Sequence, residues 1–290
     1  MKYPIQKKKR KFSRKKREKK DKKSQPIPRI VIPSFFTLMN LLCGFLAIIY
    51  VAEAANPGEP QFMYAAWLIV LAGLFDAMDG FMARVANATS EFGIQLDSIA
   101  DIVSFGVAPG FLVYHYGLEE LQFLGVVIAA LSPICGAVRL ARFNVEAHDV
   151  KGDFFRGLPI PAHALIISSF YLTFSANPEL FSGFKYGVTS ILIPVQILVT
   201  FLMVTTIPFD KIPRFDKTSI KEHKGRYLLF IGYLIAIVLF QEYGLMAVFT
   251  MVIARGLVLG LIKFYKQAFG EDDEPEEDET VVIEDYQSGN

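Results

Sequence analysis

The chain has 290 residues, 52% of them hydrophobic, and a mean hydropathy of +0.36. Soluble domains of this length carry more charge and shorter apolar runs, so the composition excludes an ordinary soluble enzyme and indicates a helical membrane protein. The net charge of +1 hides a segregation of charge, because half of the 30 Lys and Arg residues precede Ile30 and a dense acidic run follows Gly270.

The two charged tails are poor in apolar residues, so we expect residues 1–29 and 268–290 to be disordered. A polybasic N-terminal arm is typical both of nucleic-acid-binding proteins and of segments beside a membrane span. No aromatic stacking platform accompanies the lysines, so we favour the second interpretation and expect no nucleic-acid partner. The basic tail would keep the N-terminus in the cytoplasm and contact anionic lipid.

Between the tails, residues 30–267 are expected to form one transmembrane domain. Its apolar runs have about the length of roughly 20 residues that a bilayer requires. The predicted spans are roughly 33–54, 62–83, 95–116, 121–146, 159–176, 186–207, 227–241 and 243–264. The seventh is short and is compatible with a tilted or partly buried helix. The predicted fold is therefore an all-α, polytopic transmembrane bundle of about eight spans.

The basic residues of the loops predict the orientation. They concentrate in the loops at 142–157 and 208–226, whereas the intervening short loops contain a single one, Lys185. Because cytoplasmic loops are enriched in Lys and Arg, this alternation places both termini, and the stretch 84–95, on the cytoplasmic side.

Four aspartates interrupt the second and third apolar runs. Asp76 and Asp79 are three residues apart, and Asp97 and Asp101 are four apart, so each pair shares a helical face. A connection of about a dozen residues makes the two helices antiparallel neighbours, which lets the carboxylates converge. Single acids near a membrane surface are commonly solvated or paired with loop lysines, but four converging carboxylates repel one another unless cations neutralise them. Such oxygen ligands suit Mg²⁺ or Mn²⁺, and two bridged ions suit phosphoryl or phosphodiester transfer.

Small residues accompany the aspartates. Gly80 and Ala83 keep one helical face shallow, so that a bulky group can lie against the backbone, and Arg84 is placed to hold a phosphate. Gly93, one turn before Asp97, permits either an open helix start or close packing. Taken alone, the small residues would more often indicate helix packing.

The complete pattern Asp76-x2-Asp79-Gly80-x2-Ala83-Arg84-x8-Gly93-x3-Asp97-x3-Asp101 resembles the signature of the CDP-alcohol phosphotransferase family. Further segments, at 33–45, 96–109, 139–144 and 157–162, resemble the bacterial-type phosphatidylserine synthases of that family. The resemblance implies transfer of a phosphatidyl group from CDP-diacylglycerol to L-serine with release of CMP. Two positions depart from the usual pattern: Ser34 replaces a frequent Asn, and His163 replaces a small residue. We interpret His163 as a packed or interfacial histidine and not as a catalytic one.

The resemblance also implies roles for the aspartates. Asp76, Asp79 and Asp97 are expected to be the principal metal ligands for Mg²⁺ or Mn²⁺, with two ions in the site. Asp101 is expected to contact the metal as well and to act as the general base toward the serine hydroxyl.

The remaining expectations from the resemblance concern the nucleotide and the assembly. Gly80 and Ala83 would lie against the cytidine, and Arg84 would hold the nucleotide phosphates. The enzyme would be a homodimer in the cytoplasmic membrane, with CDP-diacylglycerol, serine and membrane lipid as its partners and the active site at the cytoplasmic face.

Two groups of polar residues have two interpretations each. Thr37 and Asn40, one turn apart on the first span, either contact the ribose or base of the nucleotide or make ordinary interhelical hydrogen bonds. Arg139, Arg142 and Asn144 end the fourth span, where an arginine could bind the serine carboxylate through two hydrogen bonds. The alternative is that these arginines snorkel and anchor the helix end.

Three other functions compete with serine transfer. Another member of the same family would take glycerol 3-phosphate or inositol phosphate as acceptor and would need more cations near its site. A cation-coupled transporter would bind a permeating ion at the carboxylates, but all four lie at one membrane face and no inverted repeat is evident. A structural scaffold does not explain four membrane-face aspartates.

Overall fold

The computed structural model describes residues 31–56, 58–86, 90–146, 154–175, 177–210 and 224–269, so the two predicted disordered tails lie almost entirely outside the described residues. Helices dominate these ranges, which confirms the all-α prediction. The helices are α1 (Val31–Glu53), α2 (Pro60–Ala86), α3 (Glu91–Asp101), π1 (Ile102–Val107), α4 (Ala108–Val113), π2 (Tyr114–Leu118), α5 (Phe123–Glu146), α6 (Ile160–Phe174), α7 (Thr189–Val204) and α8 (Lys224–Phe269). Short 3₁₀ turns lie at Glu119–Leu121 and Pro178–Phe181, and two short strands are β1 (Phe154–Arg156) and β2 (Pro208–Asp210).

Five helical segments are long and apolar enough to cross a bilayer: Ser34–Glu53, Pro60–Ala83, Glu91–Leu121, Phe123–Val145 and Tyr243–Ile262. The helices α6 and α7 are also apolar but shorter. The seventh predicted span, 227–241, forms the first part of α8. These helices agree with a protein embedded in a membrane, while the number of spans and the side of the termini stay predictions.

Large apolar side chains on the outer surface of the bundle fit the same environment. On α1, Phe35, Leu42 and Phe45 are each between 44% and 55% exposed. In water such a surface would be unfavourable, whereas lipid tails are as apolar as the side chains themselves.

The third predicted span is a continuous helical segment from Glu91 to Leu121 that changes its winding twice, at π1 and π2. The sequence predicts a span at roughly 95–116 but gives no sign of these changes of winding. Pro109 gives a physical reason for the first change, because it has no N–H to donate to the carbonyl of Phe105 one turn earlier. The wider π-helical turn begins directly after Asp101.

Two sharp corners between helices share the pattern Gln-x2-Gly. Gln122 and Gln241 are the non-glycine residues with positive φ among the described ranges, at 49° and 47°. Three residues later, a Cβ on Gly125 would lie 2.0 Å from the carbonyl oxygen of Leu118, and one on Gly244 would lie 2.2 Å from that of Ala236. Glycine is therefore required for the chain to turn back so tightly.

The carboxylate-bearing helices are positioned by α1. It packs along α2 and also contacts α3 and π1, while α5 packs on α7 and α6 packs on α2 and α8. Ala65, Ala66 and Ala72 on α2 are fully buried in this core. A Cβ on Gly44 would lie 2.3 Å from Ser104 Oγ, so α1 and π1 are in direct backbone contact.

Two short paired strands join the segment after α5 to the end of α7. β1 and β2 pair in antiparallel register, and the N–H of Gly157 donates to the carbonyl of Ile207 at 2.8 Å. Gly157 has a φ of +79°, and its missing Cβ would lie 2.6 Å from the carbonyl oxygen of Met203. Glycine at this position therefore allows the loop to lie flat against the end of α7.

Candidate active site

Three of the four predicted carboxylates meet between α2 and α3. One carboxylate oxygen each of Asp76, Asp97 and Asp101 lies within 4.8 Å of the others. Asp97 Oδ1 is buried and has no hydrogen-bond partner among the described residues. Oxygen ligands at this separation, one of them without a partner, fit a hard divalent cation such as Mg²⁺ or Mn²⁺.

Mutual repulsion makes this cluster unfavourable as a purely structural feature. Two unit charges about 4 to 5 Å apart repel by roughly 3 to 4 kcal/mol at the effective dielectric constant found near protein surfaces. Arg139 on α5 interacts electrostatically with Asp101. Among the described residues, this one cation does not balance three carboxylates, so the cluster needs further positive charge.

The fourth carboxylate, Asp79, borders the cluster without joining it. Its Oδ2 accepts a hydrogen bond from the hydroxyl of Thr37 on α1, and the residue is 8% exposed. Residues three apart on an α-helix differ by about 60° in direction, which turns Asp79 from Asp76 toward α1. The metal-ligand role of Asp79 stays a prediction.

Asp101 is the most deeply placed of the carboxylates, with 6% exposure. The Nδ2 of Asn40 donates to its Oδ1 at 3.3 Å, and the hydroxyl of Ser104 donates to the carbonyl of Asn40 at 2.8 Å. Because Gly44 brings α1 against π1 at this level, the carboxylate is held between two rigid helices.

Thr37 and Asn40 therefore hold carboxylates, as the interhelical interpretation expects. Both are buried, with 3% and 0% exposure. Their predicted contacts to the nucleotide are not tested by the structure. Ser104 lies three residues after Asp101 and so on a nearby helical face, but no sequence pattern predicted its hydrogen bond to α1.

The predicted nucleotide face lies at the end of α2. Gly80 is exposed, and no described atom lies within 4 Å of the position a Cβ would take. Ala83 is half-buried, and the side chain of Arg84 lies outside the described residues. The nucleotide contacts of Gly80, Ala83 and Arg84 stay predictions.

Gly93 begins the second carboxylate helix. Ser90 caps α3, and its Oγ accepts the backbone N–H of Gly93 at 3.0 Å. Such a cap fixes where α3 begins and hence the direction of Asp97 one turn later.

The three predicted acceptor residues lie in different environments. Arg139 is 6% exposed, and its Nε has no hydrogen-bond partner among the described residues. Arg142 instead donates to carbonyl oxygens at the end of α7, including that of Val204 at 2.8 Å. Asn144 donates through Nδ2 to Ser98 Oγ at 2.9 Å, beside Asp97.

For Arg142 and Asn144 these contacts support an anchoring role at the helix end. Arg142 caps α7, and Asn144 ties the end of α5 to α3. Their acceptor-binding roles stay predictions. Of the two arginines of α5, Arg139 is the better candidate for binding an anionic ligand, because it is buried and its Nε has no hydrogen-bond partner among the described residues.

Comparison with known proteins agrees with this geometry. The profile of the CDP-alcohol phosphatidyltransferase family matches residues 30–202. A CDP-diacylglycerol–serine O-phosphatidyltransferase of Bacillus subtilis is 36% identical over 198 residues, which cover 68% of this chain and 98% of that protein. A protein of the same name from Helicobacter pylori (strain J99) is 34% identical over 199 residues, covering 66% of this chain and 76% of its own length.

An archaeal relative extends the comparison. The archaetidylserine synthase of Methanothermobacter thermautotrophicus is 34% identical over 185 residues, covering 63% of this chain and 71% of its own length. The region that the family profile matches contains all four aspartates and the helices that position them. The chain belongs to the CDP-alcohol phosphatidyltransferase family.

Proposed function

We propose that this chain is a CDP-diacylglycerol–serine O-phosphatidyltransferase. It transfers the phosphatidyl group of CDP-diacylglycerol to the hydroxyl of L-serine and produces phosphatidylserine and CMP. The observation that carries the proposal is the convergence of Asp76, Asp97 and Asp101 within the family's sequence pattern.

Serine is the acceptor best supported by the relatives. The bacterial relatives are named as transferases to serine, and the archaeal one is named for a serine-containing product. Glycerol 3-phosphate and inositol phosphate are the alternatives within the family. Each carries a phosphate dianion and would need several cations, whereas the described residues place one buried cation, Arg139, near Asp101.

Divalent metal is the cofactor that the family generally uses, and the three clustered aspartates fit it. We assign Asp76, Asp97 and Asp101 as ligands, with Asp79 completing the set for two ions of Mg²⁺ or Mn²⁺. When bound, the metal neutralises charge on the diphosphate of the donor and on departing CMP.

Asp101 acts as the general base. Its carboxylate takes the proton of the serine hydroxyl while the serine oxygen forms a bond to the phosphorus of the phosphatidyl group. The bond from that phosphorus to the oxygen of CMP breaks, and CMP leaves with the electron pair. Asn40 holds the Asp101 carboxylate in direction, because its Nδ2 donates to Oδ1.

The other binding roles follow the open surfaces and free donors. Gly80 and Ala83 present a shallow face to the cytidine, and Arg84 holds the nucleotide phosphates, with Thr37 and Asn40 at the edge of that site. Arg139 binds the serine carboxylate, since a buried guanidinium with an unpartnered Nε gains most from an anionic ligand.

The setting of the enzyme is also part of the proposal. The protein lies in the cytoplasmic membrane with both termini and the carboxylate site on the cytoplasmic side, where basic loops are expected. It works as a homodimer, as the sequence resemblance implies.

Release of CMP by the full chain in detergent tests the proposal. Purified protein with CDP-diacylglycerol is given serine, glycerol 3-phosphate or inositol phosphate separately, with Mg²⁺ or Mn²⁺ and with EDTA. We expect release that requires serine and metal and that disappears in Asp101→Asn. The matched control is Glu120→Gln, which removes an exposed carboxylate at the opposite end of the same helical segment.

The other outcomes separate the alternatives. Release with a phosphorylated acceptor and not with serine would keep the family and reject the serine assignment. If folded, metal-loaded protein releases no CMP with any acceptor, the transferase assignment is wrong and the cation transporter is the remaining alternative.

A further inference from the structure

A series of buried polar groups linked by hydrogen bonds, here called the polar chain, crosses the bundle from α7 to π1. Gln196 Nε2 donates to Ser132 Oγ at 2.7 Å, and Ser132 Oγ lies 3.3 Å from His163 Nε2. On the other side of the ring, His163 Nδ1 lies 3.3 Å from the carbonyl oxygen of Phe105. All three side chains have 0% exposure.

The direction of every hydrogen bond in the polar chain follows from the acceptor at its end, the carbonyl oxygen of Phe105. A carbonyl oxygen only accepts, so Nδ1 of His163 carries the ring proton. Nε2 of the neutral ring then accepts from the Ser132 hydroxyl, whose oxygen accepts from the Gln196 amide. Bonds that all run in one direction polarise one another, and a low-dielectric interior strengthens them.

The polar chain ends at Phe105, one helical turn after Asp101. Phe105 is in π1, and in a regular α-helix its carbonyl would accept from residue 109, which is proline and has no N–H. His163 supplies a donor to this carbonyl from a different helix. A hydrogen bond between neutral buried groups of this kind contributes about 0.5 to 1.5 kcal/mol to stability.

The opposite side of π1 is held by α1. Ser104 Oγ donates to the carbonyl of Asn40 at 2.8 Å, and Asn40 Nδ2 donates to the Asp101 carboxylate. The π-helical turn is thus fixed from two sides, by α1 through Ser104 and by α6 through His163. A shift of this turn would move Asp101, which is the residue immediately before it.

We propose that His163 is a positioning residue for the transfer reaction, which holds π1 through its Nδ1–H bond to Phe105 and thereby sets the direction of Asp101. This rests on the proposed function for the role of Asp101. Among the described residues His163 makes no hydrogen bond to an aspartate, so we expect its effect to be on the rate of the chemical step and not on substrate affinity.

Two amide substitutions test which ring nitrogen matters. In His163→Asn the amide nitrogen lies near the position of Nδ1 and can still donate to Phe105, whereas in His163→Gln it lies near the position of Nε2 and cannot. We expect kcat within about threefold of the original enzyme for His163→Asn and a fall of about tenfold or more for His163→Gln and His163→Leu, because small misplacements of catalytic groups have effects of this size. The KM values for serine and CDP-diacylglycerol should change little in all three.

Ser168→Ala is the matched control on the same helix. Ser168 also has 0% exposure, but its hydroxyl has no hydrogen-bond partner among the described residues and does not contact π1 in the way His163 does. We expect unchanged kcat and an unchanged or higher thermal midpoint. Rates are expressed per folded molecule, so that a loss of stability alone would leave kcat unchanged.

The tautomer provides a readout that does not depend on activity. In ¹⁵N-histidine-labelled protein, the signal that is absent from His163→Asn should show a protonated Nδ1 and an unprotonated Nε2. The opposite tautomer, or equal kcat for His163→Asn and His163→Gln in an active enzyme, would overturn the inference. Absence of CMP release from the original protein would instead count against the proposed function.

Discussion

The carboxylate cluster of Asp76, Asp97 and Asp101 and the polar chain through His163 both place polar atoms inside an apolar bundle, close to π1. In the polar chain, both ring nitrogens of His163 have neutral partners. The atom without a partner among the described residues, Gln196 Oε1, lies at the α7 end of the polar chain and belongs to a neutral amide. In the cluster, like charges face one another and Asp97 Oδ1 has no partner among the described residues.

This difference separates scaffold from site. The neutral polar chain leaves one buried acceptor, Gln196 Oε1, without a partner among the described residues, but it carries no net charge that a cation would have to balance. A cluster of like-charged carboxylates is stabilised when a cation binds. Substitutions in the two regions should therefore differ in kind, with loss of chemistry at the cluster and graded loss of geometry around it.

The largest effect is expected at the cluster itself. Asp97→Asn and Asp76→Asn keep the size of the side chain but remove a charged ligand, so CMP release should fall by at least about 100- to 1,000-fold. Binding of Mn²⁺, measured by electron paramagnetic resonance, should weaken in parallel. Full activity in either variant would show that the cluster is not the metal site.

A smaller loss is expected one contact away. Asn40→Leu removes the donor to Asp101, and substitutions of residues that orient metal ligands typically reduce activity about 10- to 100-fold. Asn40→Asp would add a fourth like charge and should be no better. An unchanged kcat in Asn40→Leu would contradict the assignment of Asn40 as the residue that orients the base.

The two arginines of α5 should separate binding from stability. Arg139→Lys loses the planar fork, and we expect the KM for serine to rise about tenfold. Arg142→Lys loses bonds to the carbonyls at the end of α7, so it should lower the thermal midpoint with little change in that KM. The reverse result would assign the acceptor site to Arg142.

The last comparison is between two glycines, one closely packed and one open, which should differ in their effect on the stability of the fold. In Gly44→Ala, the new Cβ would lie 2.3 Å from Ser104 Oγ, so overpacking should destabilise the fold by about 1 to 3 kcal/mol. Gly80→Ala meets no described atom, so the fold should keep its stability or gain up to about 1 kcal/mol from helix propensity.

The KM for CDP-diacylglycerol tests the predicted nucleotide contact of Gly80. If the cytidine lies against Gly80, the added methyl group should raise the KM for CDP-diacylglycerol a few-fold without changing the thermal midpoint. An unchanged KM in Gly80→Ala would place the nucleotide elsewhere, because the assignment puts the cytidine directly against this glycine.

Much of this architecture was determined by the sequence alone. The apolar runs predicted the helices because a bilayer demands their length. The spacing of the two aspartate pairs predicted that all four carboxylates converge, because helical periodicity puts such residues on facing surfaces, and three of the four lie together. The same periodicity could not distinguish Asp79, whose partner Thr37 lies 42 residues away.

Other features were decided only by the tertiary structure. The sequence contains Pro109 and His163, but only the packing of α6 against π1 shows that one removes a donor and the other replaces it. Likewise, Arg139 and Arg142 look equivalent three residues apart, and their surroundings alone distinguish them. Contacts between helices distant in the chain depend on how the helices rotate and cross, and no local pattern records that choice.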